Sequence, residues 1–198
     1  MTEGSGNDMV LPVPTGKEEV IGKKFGKSLI LRQFRLPTGK EDDWCLLSTG
    51  TVYPTMILAI TEDGKIILIR NYRFAVAEAV LEVPGGNPTP GNPDEDPLAV
   101  AERELLEETG YAGSGYQILA KDMFFEPAAN TAHYHVVLAT GCRFKQEPTP
   151  DPMEFMRVEL YWPQDLFALI MSGGVRDDKT VAAIMMALPH LGYEIKKK

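Results

Sequence analysis

The chain has 198 residues, enough for one domain with a small appendage and a proper hydrophobic core. Its apolar content of 44% and charged content of 24% are ordinary for a globular protein, and its net charge of −8 argues against a nucleic-acid-binding surface. Cys45 and Cys142 are too few for a disulfide scaffold or a zinc site, and no apolar run is long enough to cross a membrane. We therefore expect a cytoplasmic protein with reduced cysteines that binds neither nucleic acid nor a membrane.

Residues 1–50 predict an N-terminal arm followed by a small β segment. Residues 1–16 are rich in Gly, Pro, Asn and Thr, which indicates a mobile arm or a segment laid on a neighbouring molecule. Residues 23–36 carry apolar side chains typical of a strand, residues 37–40 are a turn signal, and a second strand begins at Trp44. A hairpin or meander is expected here.

Residues 51–198 predict a second, larger domain in which strands surround one central helix. The runs typical of strands are 52–60, 65–73, 80–83, 116–125, 133–139 and 156–162. Pro163 opens a short helix to about Met171, and a last helix starts at residues 177–180 and stops at Pro189. This order predicts an α+β fold with a mixed sheet between helices, preceded by the small N-terminal β segment.

The central helix has clear start and stop signals. Asp96 before Pro97 is a capping side chain followed by a residue that needs no N–H, and Gly110 suits a left-handed helix end. Between them, apolar residues recur at helical spacing on one side that would face a core. These residues are Leu98, Ala101 and Leu105.

The same helix carries an unusual density of carboxylates. Glu104 and Glu108 lie one turn apart, and Glu107 lies between them on the same arc. Three carboxylates converging there repel one another unless a cation sits among them, and oxygen ligands are what Mg²⁺ prefers. A solvated acidic helix face is the alternative interpretation.

The segment Arg103–Tyr111, RELLEETGY, resembles the second half of the Nudix box, G-x5-E-x7-R-E-U-x-E-E-x-G-U, where U is apolar. Glu95 precedes Arg103 by seven intervening residues, as the first glutamate of the box does. Eight residues, instead of five, separate Gly86 from Glu95, which we interpret as a three-residue loop insertion. The resemblance implies a Nudix α/β/α sandwich and assigns residues 51–198 to a Nudix hydrolase domain.

Flanking motifs narrow the resemblance to the ADP-ribose and nucleoside-diphosphate-sugar pyrophosphatases. Residues 71–73 and 81–86, NYR and LEVPGG, are similar to the group's Q-[YF]-R and L-E-[LM]-P-A-G. Residues 125–128 resemble its Y-P-S-P-G loop, and residues 174–180 resemble the G-x-I-x-D-x-K-T that opens its final helix. The resemblance thus covers roughly residues 36–188.

The family implies a metal site and a set of structural residues. The carbonyl of Gly85, with Glu104 and Glu108, would hold Mg²⁺, for which Mn²⁺ is a possible substitute. Glu107 would share a further ion or orient the attacking water. The residues with a structural role in the motif would be Gly86, Glu95, Arg103 and Gly110, and Arg103 would pair with a glutamate of the box.

Three residues outside the box are expected to bind substrate. Arg73 matches the arginine that grips the diphosphate, for which a guanidinium fork is suited; an exposed strand arginine is the alternative. Trp44 stands where the group stacks a tryptophan on the adenine, sometimes across a dimer; a buried or interface tryptophan is equally compatible. Glu82 would join the metal network or serve as a cross-strand partner.

The group also has a glutamate after its P-S-P-G loop, proposed as base or metal partner, but Ala132 stands at that position here. We expect Glu107 to accept the proton instead, because it is fixed on a helix. Acids on loops are the alternatives, namely Glu126, Asp151 and Glu154.

The resemblance implies a Mg²⁺-dependent homodimer that hydrolyses ADP-ribose or a related nucleoside diphosphate sugar to a nucleoside monophosphate and a sugar phosphate. The N-terminal strands around Trp44 would form part of the dimer interface. Another sugar nucleotide, such as GDP-mannose, or a dinucleotide is the alternative substrate. The alternative functions are a catalytically weak Nudix-like module that binds ADP-ribose-type nucleotides as a sensor, and a structural homodimer without activity.

Overall fold

The computed structural model describes residues 9–50 and 52–193, and the chain divides into two compact units. The first unit contains the N-terminal segment through residue 50 together with Glu126–Ala132. The second contains Val52–Phe125 and the chain from His133 onward. No helix in the described ranges is long and apolar enough to span a membrane.

The first unit is a three-stranded antiparallel sheet in the order β1-β2-β3. Its strands are β1 (Val13–Lys24), β2 (Lys27–Arg35) and β3 (Glu41–Ser48). Backbone hydrogen bonds also join β3 to the segment Glu126–Ala132, since the Leu47 N–H donates to the Ala129 carbonyl at 2.8 Å. The unit therefore combines a local meander with a segment that is distant in the sequence.

The meander differs in two places from the prediction. Residues 13–16, expected in the N-terminal arm, belong to β1, while residues 1–8 of that arm lie outside the described residues. Residues 23–36 are not one strand, because Phe25 and Gly26 both have positive φ and form a tight turn between β1 and β2. The start of β1 and the turn between β1 and β2 are both set by pairing between strands, which cannot be predicted from local composition.

The second unit is built on a mixed sheet of eight strands with the central order β11-β5-β4-β10-β8. Its strands are β4 (Thr55–Thr61), β5 (Ile66–Arg73), β6 (Glu78–Glu82), β7 (Gly85–Gly86), β8 (Tyr111–Ala112), β9 (Gly115–Phe124), β10 (His133–Phe144) and β11 (Met156–Tyr161). Strands β6, β7 and β9 pair with β5, β4 and β10. The pairing of β4 with β10 is parallel and the others are antiparallel, so the prediction of a mixed sheet is confirmed.

Helices cover both faces of this sheet. They are α1 (Pro97–Thr109), α2 (Pro163–Met171) and α3 (Asp178–Ala187), and a 3₁₀ turn (Leu188–Leu191) follows α3. Because side chains alternate along β4, Ile57 packs in one cluster with Leu105 of α1, and Leu58 packs in the other with Leu166 of α2 and Ile184 of α3. The predicted α+β fold with an α/β/α arrangement is therefore confirmed.

Candidate active site

Helix α1 is held at both ends by the groups that its sequence predicts. The Asp96 carboxylate accepts a hydrogen bond from the Leu98 N–H at 3.1 Å, and Pro97 occupies the first turn. Gly110 ends the helix with φ of 74° and donates its N–H to the Leu106 carbonyl. A Cβ on Gly110 would also overlap the Gln146 carbonyl, so glycine is required here for both conformation and space.

The loop that contains Gly85 and Gly86 lies directly against the carboxylates of α1. The Gly85 N–H donates to Glu108 Oε2 at 2.8 Å. A Cβ on Gly86 would overlap the Glu104 carboxylate. The predicted metal-binding groups Gly85, Glu104 and Glu108 are thus brought together by one strand end and one helix face.

Burial and mutual repulsion both act on these carboxylates. Glu108 is only 4% exposed, and burial raises its pKa well above the usual value, with further increases from the charges of Glu104, Glu154 and Glu82. Burial also raises the pKa of Glu104, which its bond to Arg103 opposes and the charges of Glu107 and Glu154 reinforce. The site therefore holds more negative charge than its protein surroundings stabilise.

Arg103 is the cation nearest to this cluster and contacts several of its members. Its Nη1 lies 2.7 Å from Glu104 and 3.3 Å from Glu107, and its Nη2 lies 3.6 Å from Glu95. Nη2 also donates to the Asn87 carbonyl at 2.8 Å. Arg103 therefore ties the acidic helix to the loop that follows Gly86.

Glu107 is more exposed than Glu104 and Glu108, the two glutamates proposed to bind the metal. Its side chain is 45% exposed and its contact is with Arg103. Sequence spacing places Glu104, Glu107 and Glu108 on one arc, but only the structure shows that Glu108 is buried, that the Glu104 side chain is 14% exposed and that the Glu107 side chain is 45% exposed. The sequence missed this distinction because burial depends on the neighbouring loop.

The lengthened loop between Gly86 and Glu95 is closed on itself by polar contacts. The Thr89 N–H donates to the Glu95 carboxylate at 2.7 Å, and this bond is the main cause of the lowered pKa of Glu95. The Asn92 N–H donates to the Thr89 carbonyl at 2.9 Å. The insertion thus forms an ordered turn, which leaves Glu95 beside Arg103.

Arg73 and Glu82 form an ion pair in the structure. Arg73 Nη2 lies 2.7 Å from Glu82 Oε1, and Nε donates to Oε2 at 3.1 Å. Burial raises the pKa of Glu82, whereas Arg73 and Asn71 lower it. The Arg73 side chain nevertheless remains 53% exposed, so a ligand can reach it.

Trp44 and Ala132 both belong to the first unit. Trp44 is 47% exposed and meets Phe34 edge to face at 6.2 Å between ring centroids. Ala132 is buried, and its N–H donates to the Asn130 side chain at 2.7 Å. The role of each residue at the active site stays a prediction.

Of the three loop acids that the sequence offers as a base, Glu154 differs from Glu126 and Asp151 in its electrostatic effect on α1. Its charge raises the pKa of both Glu104 and Glu108, which places it in the field of the acidic cluster. Its carboxylate also accepts the Asp151 N–H at 3.0 Å. The loop between β10 and β11 thus delivers a further carboxylate that helix spacing does not reveal.

The oxygen donors of the site fit the Mg²⁺ ion that the motif implies. Among the described residues, no three His, Cys, Asp or Glu side chains are grouped closely enough to hold an ion by themselves. Mg²⁺ does not require such a group, since it usually binds through one or two carboxylates and keeps several waters. One buried and one partly buried glutamate beside a backbone loop, Glu108 and Glu104, fit that requirement, and a cation would offset their mutual repulsion.

Comparisons with known proteins agree with the motif. A family model of the NUDIX domain matches residues 50–184. An ADP-ribose pyrophosphatase of Bacillus subtilis (strain 168) is 31% identical over 170 residues, which cover 85% of this chain and 88% of that protein. A methanol dehydrogenase activator of Bacillus methanolicus is 30% identical over 129 residues, which cover 65% of this chain and 68% of that protein.

A solved structure is similar over nearly the whole chain. A protein described as an ADP compounds hydrolase superposes with a TM-score of 0.79 and covers 93% of this chain and 97% of its own. The sequence identity is 20%, so this similarity supports the fold and not the substrate.

Proposed function

The chain belongs to the Nudix hydrolase family, and within that family we propose that it hydrolyses ADP-ribose or a related nucleoside diphosphate sugar to a nucleoside monophosphate and a sugar phosphate. The observation that carries the proposal is the pair of glutamates, buried Glu108 and partly buried Glu104, packed against the Gly85–Gly86 loop. The ADP-ribose pyrophosphatase from Bacillus subtilis supports the choice of substrate, since it matches most of this chain.

We propose Mg²⁺ as the metal, with Mn²⁺ as a substitute, held by the Gly85 carbonyl, Glu104 and Glu108. When bound, the ion would neutralise the substrate diphosphate and make a bound water more acidic. The protein residues supply the rest of the arrangement. Arg103 restrains Glu104, and the Gly85 N–H restrains Glu108, so both carboxylates are oriented before substrate arrives.

Arg73 is proposed to bind the diphosphate. Its Nε and Nη2 are engaged by Glu82, and the half-exposed side chain leaves Nη1 as the nitrogen to contact a phosphate oxygen. In this arrangement Glu82 orients the guanidinium, which is the cross-strand role considered for it from the sequence. The metal role also stays open for Glu82, because among the described residues its buried Oε1 has no hydrogen-bond partner, although it lies 2.7 Å from Arg73 Nη2.

The proton acceptor is proposed to be Glu107 or Glu154. Glu107 is fixed on α1, and its carboxylate lies 3.3 Å from Arg103 Nη1. Glu154 lies on a loop, and its charge raises the pKa of both Glu104 and Glu108. Helix spacing favours Glu107, and Glu154 is the alternative.

The remaining roles are proposed from the resemblance. Trp44 would stack on the base of the substrate, and the protein would form a homodimer through its N-terminal strands. A cytoplasmic location is consistent with both cysteines being free, Cys45 exposed and Cys142 buried.

The direct test is a panel of nucleoside diphosphate sugars and dinucleotides incubated with Mg²⁺ in ¹⁸O-water, with products identified by mass. We expect a nucleoside monophosphate and a sugar phosphate, with one ¹⁸O atom incorporated at the attacked phosphorus. Glu108→Gln should lower the rate by about 10²-fold or more, because charge stabilisation is usually the largest catalytic contribution.

Glu102→Gln is the matched control, since Glu102 is an exposed glutamate of the same helix. It should keep the wild-type rate. Near-normal turnover of Glu108→Gln on the best substrate would show that the metal assignment is wrong, and absence of turnover on the whole panel would overturn the proposed reaction.

A further inference from the structure

Thr180 connects helix α3 to the segment that leads into the Gly85–Gly86 loop. It is completely buried in the first turn of α3. The Val83 N–H donates to Thr180 Oγ1 at 2.9 Å, and the Thr180 hydroxyl donates to Asp177 Oδ2 at 2.7 Å. One hydroxyl therefore bridges residues that are far apart in the sequence.

Asp177 fixes the direction in which this hydroxyl donates. Its Oδ2 caps α3 by accepting the Thr180 N–H at 2.9 Å, and its Oδ1 lies 2.5 Å from Lys179 Nζ. An ionised carboxylate only accepts hydrogen bonds, so the Thr180 proton must point to Asp177. The lone pairs of Oγ1 are then available to the Val83 N–H.

The segment Val83–Gly85 has only a few backbone groups that can form hydrogen bonds with its neighbours. Pro84 has no N–H, and its carbonyl accepts the Ile57 N–H from β4 at 2.8 Å. The Gly85 N–H is bound by Glu108 of α1. The Val83 N–H is the remaining donor, and Thr180 is its partner. Strand β4 of the sheet and one helix on each of its faces, α1 and α3, thus fix the three residues before Gly86.

We propose that Thr180 is a positioning residue for the metal-binding loop. By holding the Val83 amide, it fixes the start of the segment whose Gly85 carbonyl is assigned to the metal. Loss of the hydroxyl leaves the buried Val83 N–H without an acceptor, so the segment must shift to find one. The metal part of this inference rests on the proposed function, whereas the hydrogen-bond part does not.

The test compares Thr180→Val, which keeps the shape but removes the hydroxyl, with Thr180→Ser, which keeps the hydroxyl. Ile184→Val is the stability control, because it trims a buried apolar side chain of the same helix and leaves the Thr180 hydroxyl in place. Mn²⁺ binding is measured by EPR of the free ion, which does not depend on turnover. Thermal unfolding and amide hydrogen exchange of Val83 are measured in parallel.

For Thr180→Val we expect Mn²⁺ affinity to fall by about tenfold, the scale of one lost hydrogen bond, and Val83 exchange to accelerate. Thr180→Ser should stay within about threefold of wild type on both measurements. Ile184→Val should lower the unfolding temperature and leave Mn²⁺ affinity unchanged.

Wild-type protein gives a second measurement if Thr180→Val does not fold. Because coupling is reciprocal, Mg²⁺ should slow exchange of the Val83 amide in wild type. Unchanged Val83 exchange on adding Mg²⁺ would overturn the proposal, as would wild-type Mn²⁺ affinity in Thr180→Val or an equal loss of affinity in Ile184→Val. A wild-type protein that binds no Mn²⁺ would overturn the proposed function as well, so the two failures are distinguishable.

Discussion

At Glu108 the requirements of metal binding and of stability oppose each other. A deeply buried carboxylate surrounded by other carboxylates costs free energy unless a cation balances it. We predict that Glu108→Gln stabilises the metal-free protein at neutral pH while it removes activity. The glutamine oxygen can still accept the Gly85 N–H, so only the charge is lost. The unfolding temperature in EDTA should rise by about 2–4 °C for each kcal/mol that the substitution adds to the free energy of unfolding.

The pH dependence of this effect follows from the raised pKa of Glu108. A raised pKa means that the native state binds its proton more tightly than the unfolded chain does. Metal-free wild type therefore loses stability as the pH rises from the unfolded value of about 4.3 through the native pKa. The glutamine variant lacks this decrease, so the two proteins should converge in acid. A glutamine variant less stable than wild type at neutral pH in EDTA would contradict the argument.

The proton acceptor is decided by two further substitutions. The base is either Glu107 or Glu154. We predict that replacing the base with glutamine will lower kcat by about 10²–10⁴-fold, the usual contribution of general-base catalysis. We expect Glu107→Gln to have the larger effect, because Glu107 is fixed on a helix, and a larger effect of Glu154→Gln would assign the base to the loop. Steady-state kinetics with Mn²⁺ affinity measured alongside separates loss of the base from loss of the metal. Equal, near-normal rates in both variants would exclude both residues.

Several residues of the site could be found from the sequence because their relations are local. Helical spacing alone brings Glu104, Glu107 and Glu108 to one face. The partner of Arg73 was not predictable in this way, because the register of β5 and β6 places Arg73 opposite Glu78, whereas its guanidinium lies against Glu82. The approach of Glu154 depends on the course of a long loop, and no local pattern reports it.

At the level of elements, two glycines next to α1 make different demands on the chain. We predict that Gly86→Ala loses activity with little loss of stability, and that Gly110→Ala does the reverse. A Cβ on Gly86 meets the end of the flexible Glu104 side chain, which can move aside and so leaves the metal site. The rate should fall by about 10²-fold or more, while the free energy of unfolding changes by less than about 1 kcal/mol.

Gly110 provides the matched comparison. Its positive φ costs alanine roughly 1–2 kcal/mol, and the added Cβ overlaps the Gln146 carbonyl, which is backbone and cannot swing away. Urea unfolding and kcat are measured for both variants. Similar losses of stability in the two variants would contradict this prediction. Full activity in Gly86→Ala would show that Glu104 does not need to lie beside the loop.

The ends of elements were predictable where a local group sets them. Asp96, Pro97 and Gly110 bound α1 as expected, because caps act within one turn. Strand β10 instead continues to Phe144, beyond the predicted end at residue 139, since it pairs with β8 after a register shift near Gly141. The two-residue strands β7 and β8 depend entirely on such pairing.

At the level of the whole molecule, the Nudix family, the α/β/α layers and the sheet type followed from motif and element order and are confirmed. The grouping of Glu126–Ala132 with the N-terminal strands did not follow, because it rests on backbone bonds between Leu47 and residues 129–131. Contacts between distant segments are what a single sequence reports least.

The N-terminal unit exposes an unusual number of large apolar side chains for a small sheet. Those exposed in the single chain are Met9, Val10, Leu11, Val13, Val20, Ile21, Phe25, Leu29 and Trp44. Small sheets need a covered hydrophobic face to be stable, and apolar patches of this kind mark association surfaces. A second copy of the chain is the partner that the family resemblance implies.

We therefore predict a homodimer at micromolar concentration that depends on the face of the N-terminal sheet shared by Val20 and Trp44. The strand register places both residues on one face, since Val20 is opposite Ile30 and Arg32 is opposite Trp44. Val20→Lys should shift sedimentation towards the monomer, because a dimer would bury the added charge. Met171→Lys, at an exposed position on α2, is the control and should remain dimeric.

Trp44→Ala should raise KM with little change in kcat if the ring only stacks on the base, because such binding is equal in ground and transition states. A wild-type monomer at micromolar concentration would refute the assembly, and a large fall in kcat at unchanged KM would refute the stacking role.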